Sequence, residues 1–147
     1  MIQEKTQLRF DGSLWCNLDI ALRHTDQIFR NKVQNIGLTV IEWYVLRALY
    51  EADGQNASQL ACAVGRAATS FTPNLDKLQK KGYVTRIPDA SDRRAVHIYL
   101  TDKAKRERTT ILGLADELDN LYESCFSPAE LACFHHVLGV LQSIDLD

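Results

Sequence analysis

The sequence predicts a mainly α chain of the α+β class, with one β-hairpin set among helices. Two observations carry that reading. Apolar residues recur at spacings of three and four over most of the chain, whereas strict alternation is confined to one short run, AVHIYLT, that follows the turn-rich DASDRR. The 147 residues suit a single domain, 1–147, long enough to bury a core, and 46% hydrophobic with 24% charged residues is ordinary for a folded soluble protein.

The first helix is expected over residues 13–34, where Leu14, Leu18, Ala21, Leu22, Thr25, Ile28, Phe29 and Val33 share a face, with Gly37 as a stop. LTVIEWYVLRALYEADG reads as a second helix. Thr39 is its N-cap, Glu42 completes a capping-box spacing, and Val40, Trp43, Leu46 and Leu49 line one side. NASQLACAVG is a short third helix: Asn56 and Gln59 fit a capping pair, Leu60, Ala61 and Val64 face inward, and Gly65 ends it. A fourth is expected from about Ala68 to Lys81, with Gly82 in the left-handed position after it. Phe71, Leu75 and Leu78 form its apolar row, and Ser70, Thr72, Asn74, Lys77, Lys80 and Lys81 its polar, basic face. Pro73 in mid-helix would cost ~3 kcal/mol, so the start belongs close to Thr69, which leaves the proline just past the first turn.

YVTRI, DASDRR and AVHIYLT make a hairpin with a polar tip, with Val96, Ile98 and Leu100 alternating against His97 and Tyr99. Thr101 caps a long fifth helix through about Cys125, carrying Ile111, Leu114, Ala115, Leu118, Leu121 and Tyr122. Ser127-Pro128-Ala129-Glu130 opens the last helix, with Ser as cap, Pro first and Glu third, and Leu131, Phe134, Leu138, Leu141 and Ile144 as its stripe.

Charge is unevenly placed. The net charge is −2, yet residues 66–106 hold ten basic against four acidic residues, a balance of +6 that leaves −8 for the rest. A basic middle between acidic ends is the footprint a polyanion-binding surface leaves. Two short helices joined by a glycine-containing turn, the second polar and basic, read as a helix-turn-helix, and the hairpin after it as a wing. An Arg-bearing tip beside a basic helix can meet the phosphates and the groove adjoining the one the helix enters.

LTVIEWYVLRAL, SQLACAVG and LDKLQKKGYVTRIPDASDRRAVHIYLT together resemble the multiple-antibiotic-resistance regulator (MarR) family. The wing fits the family pattern through Asp92, Arg94, Leu100 and Thr101, and its lead-in through Leu78, Lys80, Gly82, Tyr83 and Val84. The resemblance implies a winged helix-turn-helix DNA-binding lobe over about residues 38–106, with dimerisation helices over about 10–36 and 107–147. It implies a homodimeric transcription regulator of sequence-specific double-stranded DNA, a ligand-responsive repressor on a pseudo-palindromic operator. Carried over by position, Ser70, Thr72, Asn74 and Lys77 face the major groove, Arg94 reaches the minor groove, Arg93 meets a phosphate, and Asp92 holds Arg94. Ala67, Ala68 and Pro73 depart from the polar residues common near the start of the family's recognition helix, which leaves fewer groups for base edges.

The first and last helices carry apolar faces that a lobe of this size cannot cover alone, and a second copy would bury them. The resemblance also implies a small aromatic or phenolic effector, with Trp15, His24, Phe29 and Trp43 as candidate lining residues. An alternative is peroxide sensing through Cys16, which lies where some relatives keep a reactive thiol, although Phe29 and Val40 stand near the places of its usual tyrosine partners. A protein-interaction winged helix is a further alternative. No metal is expected: His135 and His136 point about 100° apart on a helix, so Cys133 with His136 offers at most two ligands. No GxSxG, HExxH, P-loop or GxGxxG occurs, so no enzyme and no cofactor are expected. No apolar run approaches a membrane span and MIQEKTQLRF has no signal-peptide core, so a cytoplasmic protein with no membrane partner is expected.

Overall fold

The structure, a computed structural model, describes residues 7–65 and 71–145. After a 3-10 turn at Phe10–Gly12 come α1 (Leu14–Asn35), α2 (Val40–Glu51), β1 (Gln55–Asn56), α3 (Ala57–Val64), α4 (Thr72–Lys80), β2 (Val84–Pro88), β3 (Val96–Leu100), α5 (Asp102–Arg106), α6 (Arg108–Cys125) and α7 (Pro128–Ser143). The described residues fall into two compact units. One runs from Leu22 to Leu114; the other joins the residues up to Ala21 with those from Ala115 onward.

Local chemistry sets the helix starts. Thr39 Oγ1 accepts the Glu42 N–H at 3.3 Å while Glu42 Oε2 accepts the Thr39 N–H at 2.9 Å. The same reciprocal pair forms between Asn56 and Gln59 at α3, and between Ser127 and Glu130 at α7. Each box satisfies two backbone donors that a helix start leaves without partners. Gly65 closes α3 in the left-handed conformation.

Three elements differ from the sequence reading. The fourth helix starts at Thr72, not near Thr69, and Phe71 precedes it without a side-chain cap. Pro73 is therefore its second residue, whose N–H no helix bond needs, so the proline removes nothing. The fifth helix is two: α5 ends at Arg106, Glu107 after it has a ψ of 2° that leaves the helical range, and α6 begins at Arg108. The hairpin gains a third strand, because Gln55 and Asn56 pair antiparallel with Ile98 and His97, giving the order β1-β3-β2. That strand ties the segment before α3 to the wing.

In the Leu22–Leu114 unit the core takes Trp43, Leu46 and Leu49 of the row predicted for α2, though not Val40, together with Leu60, Phe71, Leu75, Leu78, Ile98 and Ile111. Trp43 is buried there and its indole Nε1 donates to the Ile111 carbonyl at 2.6 Å. The other unit is different. No residue of α7 is buried, and Leu8, Phe10, Trp15, Phe126, Phe134 and Val140 are all exposed, as is Leu14 at 86%.

Candidate nucleic-acid interface

α4 and the β2–β3 hairpin belong to the Leu22–Leu114 unit. Phe71, Leu75 and Leu78 anchor α4 in the core, which turns Thr72 and Lys77 to solvent and leaves Asn74 half-buried. Ser70 lies outside the described residues, as do Arg66, Ala67, Ala68 and Thr69. An ion pair joins helix and wing: Arg86 Nη2 on β2 is 2.7 Å from Asp76 Oδ1 on α4 and 3.4 Å from the Thr72 carbonyl oxygen, to which it donates. The wing is thereby fixed to the first turns of α4.

The far end of α4 is held by two lysines. Lys81 Nζ donates to Glu42 Oε2 at 2.6 Å and to the Gly37 carbonyl at 2.8 Å. Glu42 is 0% exposed, and its Oε1 has no hydrogen-bond partner among the described residues. The sequence places Lys81 on the polar, basic face of the fourth helix; its ammonium instead balances a buried carboxylate at the start of α2. Lys103 on α5 donates to the Lys81 carbonyl at 2.8 Å and lies 4.3 Å from the centroid of the Tyr83 ring. A cation on the last carbonyls of a helix favours its dipole. Burial, then the hydrogen bond its hydroxyl donates to Glu107, pushes Tyr83 up to about 12. With Lys81, Arg86 and Lys103 so engaged, the exposed cations of the basic segment are Lys77, Lys80, Arg93, Arg94, Lys105 and Arg106 among the described residues.

The wing tip is a built turn. Asp89 Oδ1 accepts the Ser91 N–H at 2.8 Å, the Ser91 hydroxyl at 2.7 Å and the Asp92 N–H at 3.2 Å. The Asp89 N–H donates to the Ala95 carbonyl, and the Ala95 N–H to that of Asp92. These donors, those of Ser91 first, hold the Asp89 carboxyl far below the usual carboxylate range. Asp92 Oδ1 accepts the Arg94 backbone N–H at 2.9 Å. It fixes the backbone from which the Arg94 side chain leaves. Arg93 and Arg94 are exposed beside each other. His97 on β3 lies 2.9 Å from Asp89 Oδ2 through Nε2 and 2.9 Å from the Gly54 carbonyl oxygen through Nδ1. Read from sequence alone, Asp89 and His97 are ordinary members of the tip and strand.

The candidate effector residues are dispersed in character. Phe29 meets Trp43 edge-on at 4.9 Å between centroids, and Trp43 meets Tyr44 at 5.2 Å. Trp43 is 4% exposed and its donor is already used, His24 is exposed, and Trp15 in the other unit is 73% exposed. Cys16 is half-buried and free. Among the described residues no group of three or more His, Cys, Asp or Glu could hold a metal ion, and no helix is long and apolar enough to cross a membrane.

Comparison with known proteins agrees with this geometry. Residues 38–96 match the MarR family, a stretch that runs from the start of α2 to the wing. YsmB of Bacillus subtilis (strain 168), an uncharacterized HTH-type transcriptional regulator, is 29% identical over 131 residues, covering 86% of this chain and 89% of its own. The structure of Bordetella bronchiseptica BpsR, whose DNA binding is regulated by 6-hydroxynicotinic acid, superposes with a TM-score of 0.83 at 18% identity, covering 95% of this chain and 100% of its own. That of the transcriptional repressor CouR bound to a 23-mer DNA duplex gives a TM-score of 0.81 at 24% identity, covering 93% and 99%. The matched segment, the relative and the winged helix-turn-helix fold agree: over residues 38–96 the chain carries the domain of the MarR family.

Proposed function

We propose that this chain is a MarR-family regulator that grips double-stranded DNA as a homodimer, in the cytoplasm, with α4 in the major groove and the wing tip at the adjoining minor groove. One observation carries the reading: Thr72 and Lys77 on α4 and Arg93 and Arg94 on the wing are exposed within one unit, and the Arg86–Asp76 pair ties the two elements together. Lys77 and Arg93 supply phosphate contacts, Arg94 enters the minor groove, and Thr72, Asn74 and Ser70 offer the shorter polar side chains for base edges. Asp92 supports Arg94 through its backbone. The occupant of the apolar side chains of α7 and the N-terminal segment is a second copy, since a monomer does not leave a helix of 16 residues without one buried side chain. Two copies then present two wings and two recognition helices to a pseudo-palindromic operator.

The output is repression relieved by a small aromatic or phenolic molecule. The half-exposed Tyr44 ring, packed edge-on against the buried Trp43, which in turn meets Phe29, is the aromatic surface that favours such a ligand. The test is a polarisation titration against the DNA flanking this protein's own gene at two salt concentrations. Saturable binding of two protomers per site, with log K falling by about 0.9 per neutralised phosphate for each unit of log salt, supports the reading. A folded dimer that binds no duplex at low salt refutes it, and leaves a protein-interaction winged helix.

A further inference from the structure

His97 has an acceptor on each side. The Gly54 carbonyl oxygen at Nδ1 cannot donate, and the Asp89 carboxylate at Nε2 cannot donate while it is ionised. A neutral imidazole carries one N–H, so it satisfies one contact and turns a lone pair on the other oxygen at 2.9 Å. Only the imidazolium, with two N–H groups, donates to both. Asp89 does not supply the second proton, because the N–H and hydroxyl of Ser91 and the N–H of Asp92 already hold it as a carboxylate.

The two contacts join separate parts of the unit. Gly54 sits in the turn that leads from α2 into β1, and its conformation, with φ of 77°, aims its carbonyl at β3. Asp89 opens the turn that carries Arg93 and Arg94. We propose that protonated His97 is a positioning residue for the wing: its imidazolium clips the arginine-bearing turn to the Gly54 carbonyl, so the grip on duplex DNA tightens at low pH and slackens as His97 loses its proton. The use of the clip rests on the DNA-binding reading above; the clip itself does not.

Other ionisable groups around β3 are turned elsewhere. Asp53 ahead of β1 accepts from the Leu100 and Gly54 N–H groups. Glu51 on α2 pairs with Arg47 at 3.7 Å, Arg86 on β2 with Asp76, and Lys103 on α5 with the Lys81 carbonyl. Asp102, Lys105 and Arg106 on α5 and Cys62 on α3 are exposed, and the Tyr99 ring on β3 lies against Gly54. Asp89 is thus the charge that governs His97. The hydrogen bond to Asp89, then that to Gly54, raises the imidazole above its ordinary value. For a group raised in the clipped state, the contribution is complete below the ordinary histidine value and is lost as pH rises through the raised one.

The experiment has two arms at constant ionic strength, from about pH 5.5 to about pH 9, a range that brackets the ordinary histidine value. In the first, duplex affinity is titrated for the wild type and for His97→Gln, which keeps one donor but cannot gain a proton. The wild type should lose roughly three- to tenfold in affinity as pH rises, the ratio one net hydrogen bond supports. His97→Gln should lack that component and resemble the wild type at high pH. In the second arm, without DNA, NMR should show the His97 ring titrating above its ordinary value, with the Ser91, Asp92 and Arg94 amide signals moving at the same midpoint. A His97→Gln affinity that tracks the wild type at every pH overturns the proposal, as do wing amides indifferent to the His97 titration. Amides that follow His97 in a protein that binds no duplex at any pH leave the clip in place, and overturn the DNA-binding reading together with the use assigned to the clip.

Discussion

Lys81→Met should destabilise the protein without weakening its electrostatic attraction for DNA. The substitution keeps most of the aliphatic stem and deletes the ammonium, which donates to Glu42 Oε2 at 2.6 Å and to the Gly37 carbonyl at 2.8 Å. Glu42 then keeps its carboxylate at 0% exposure with the Thr39 N–H as its remaining donor among the described residues. Removing one partner of a fully buried ion pair costs about 3–5 kcal/mol. The Lys81 side chain is 36% exposed, so water replaces part of what it supplied, and the expected loss falls to about 2–3 kcal/mol. For a chain of this size that corresponds to a Tm lower by about 4–12 °C at matched protomer concentration. Urea titration followed by circular dichroism measures the loss. Lys80→Met, one residue earlier on an exposed side chain, is the control and should stay within about 0.5 kcal/mol of wild type. Glu42→Gln combined with Lys81→Met should recover part of the deficit, because the amide needs no counter-charge. A Lys81→Met loss no larger than the control's would refute the buried-pair reasoning. In the folded variant the salt slope of duplex binding should match wild type, since Glu42 already neutralises this cation.

Three further outcomes follow from the interface. Arg94→Ala should weaken duplex binding at least tenfold, roughly 1.4 kcal/mol, while sedimentation shows the same dimer; unchanged affinity would remove Arg94 from the groove. Lys77→Ala should flatten the salt slope by about one unit, and lost sequence discrimination at constant slope would make it a base contact instead. Val137→Glu, which adds a charge to the exposed apolar side of α7, should convert dimer to monomer in sedimentation at micromolar protein; a dimer of wild-type affinity would place the interface elsewhere.

Much of this fold could be read locally. The capping boxes at Thr39, Asn56 and Ser127 were legible because both halves of each lie three residues apart. The α2 stripe and the wing alternation were legible because burial follows the helical and extended periods. What escaped depends on distant partners. Lys81 reads as one more solvated lysine until folding brings it to Glu42, 39 residues earlier. Arg86 and Lys103 count toward the +6 of the basic segment for the same reason, although Asp76 and the end of α4 claim them. A strand of two residues, Gln55–Asn56, is too short to show alternation. His97 gave a faint signal, a lone histidine on the polar side of a strand eight residues after an aspartate, but nothing in the sequence placed Gly54 on its other side. Asp92 was singled out for Arg94, and the atom it meets is the backbone nitrogen rather than the guanidinium.

The bare apolar side of α7 also bears on dosage. If the area that stabilises this helix comes from a second copy, the competent reader of DNA forms in proportion to the square of the chain concentration when the protein is scarce. Halving synthesis would then cut operator occupancy by more than half, and a newly made chain would begin to act only after meeting another. A regulator built this way responds to its own abundance with a threshold.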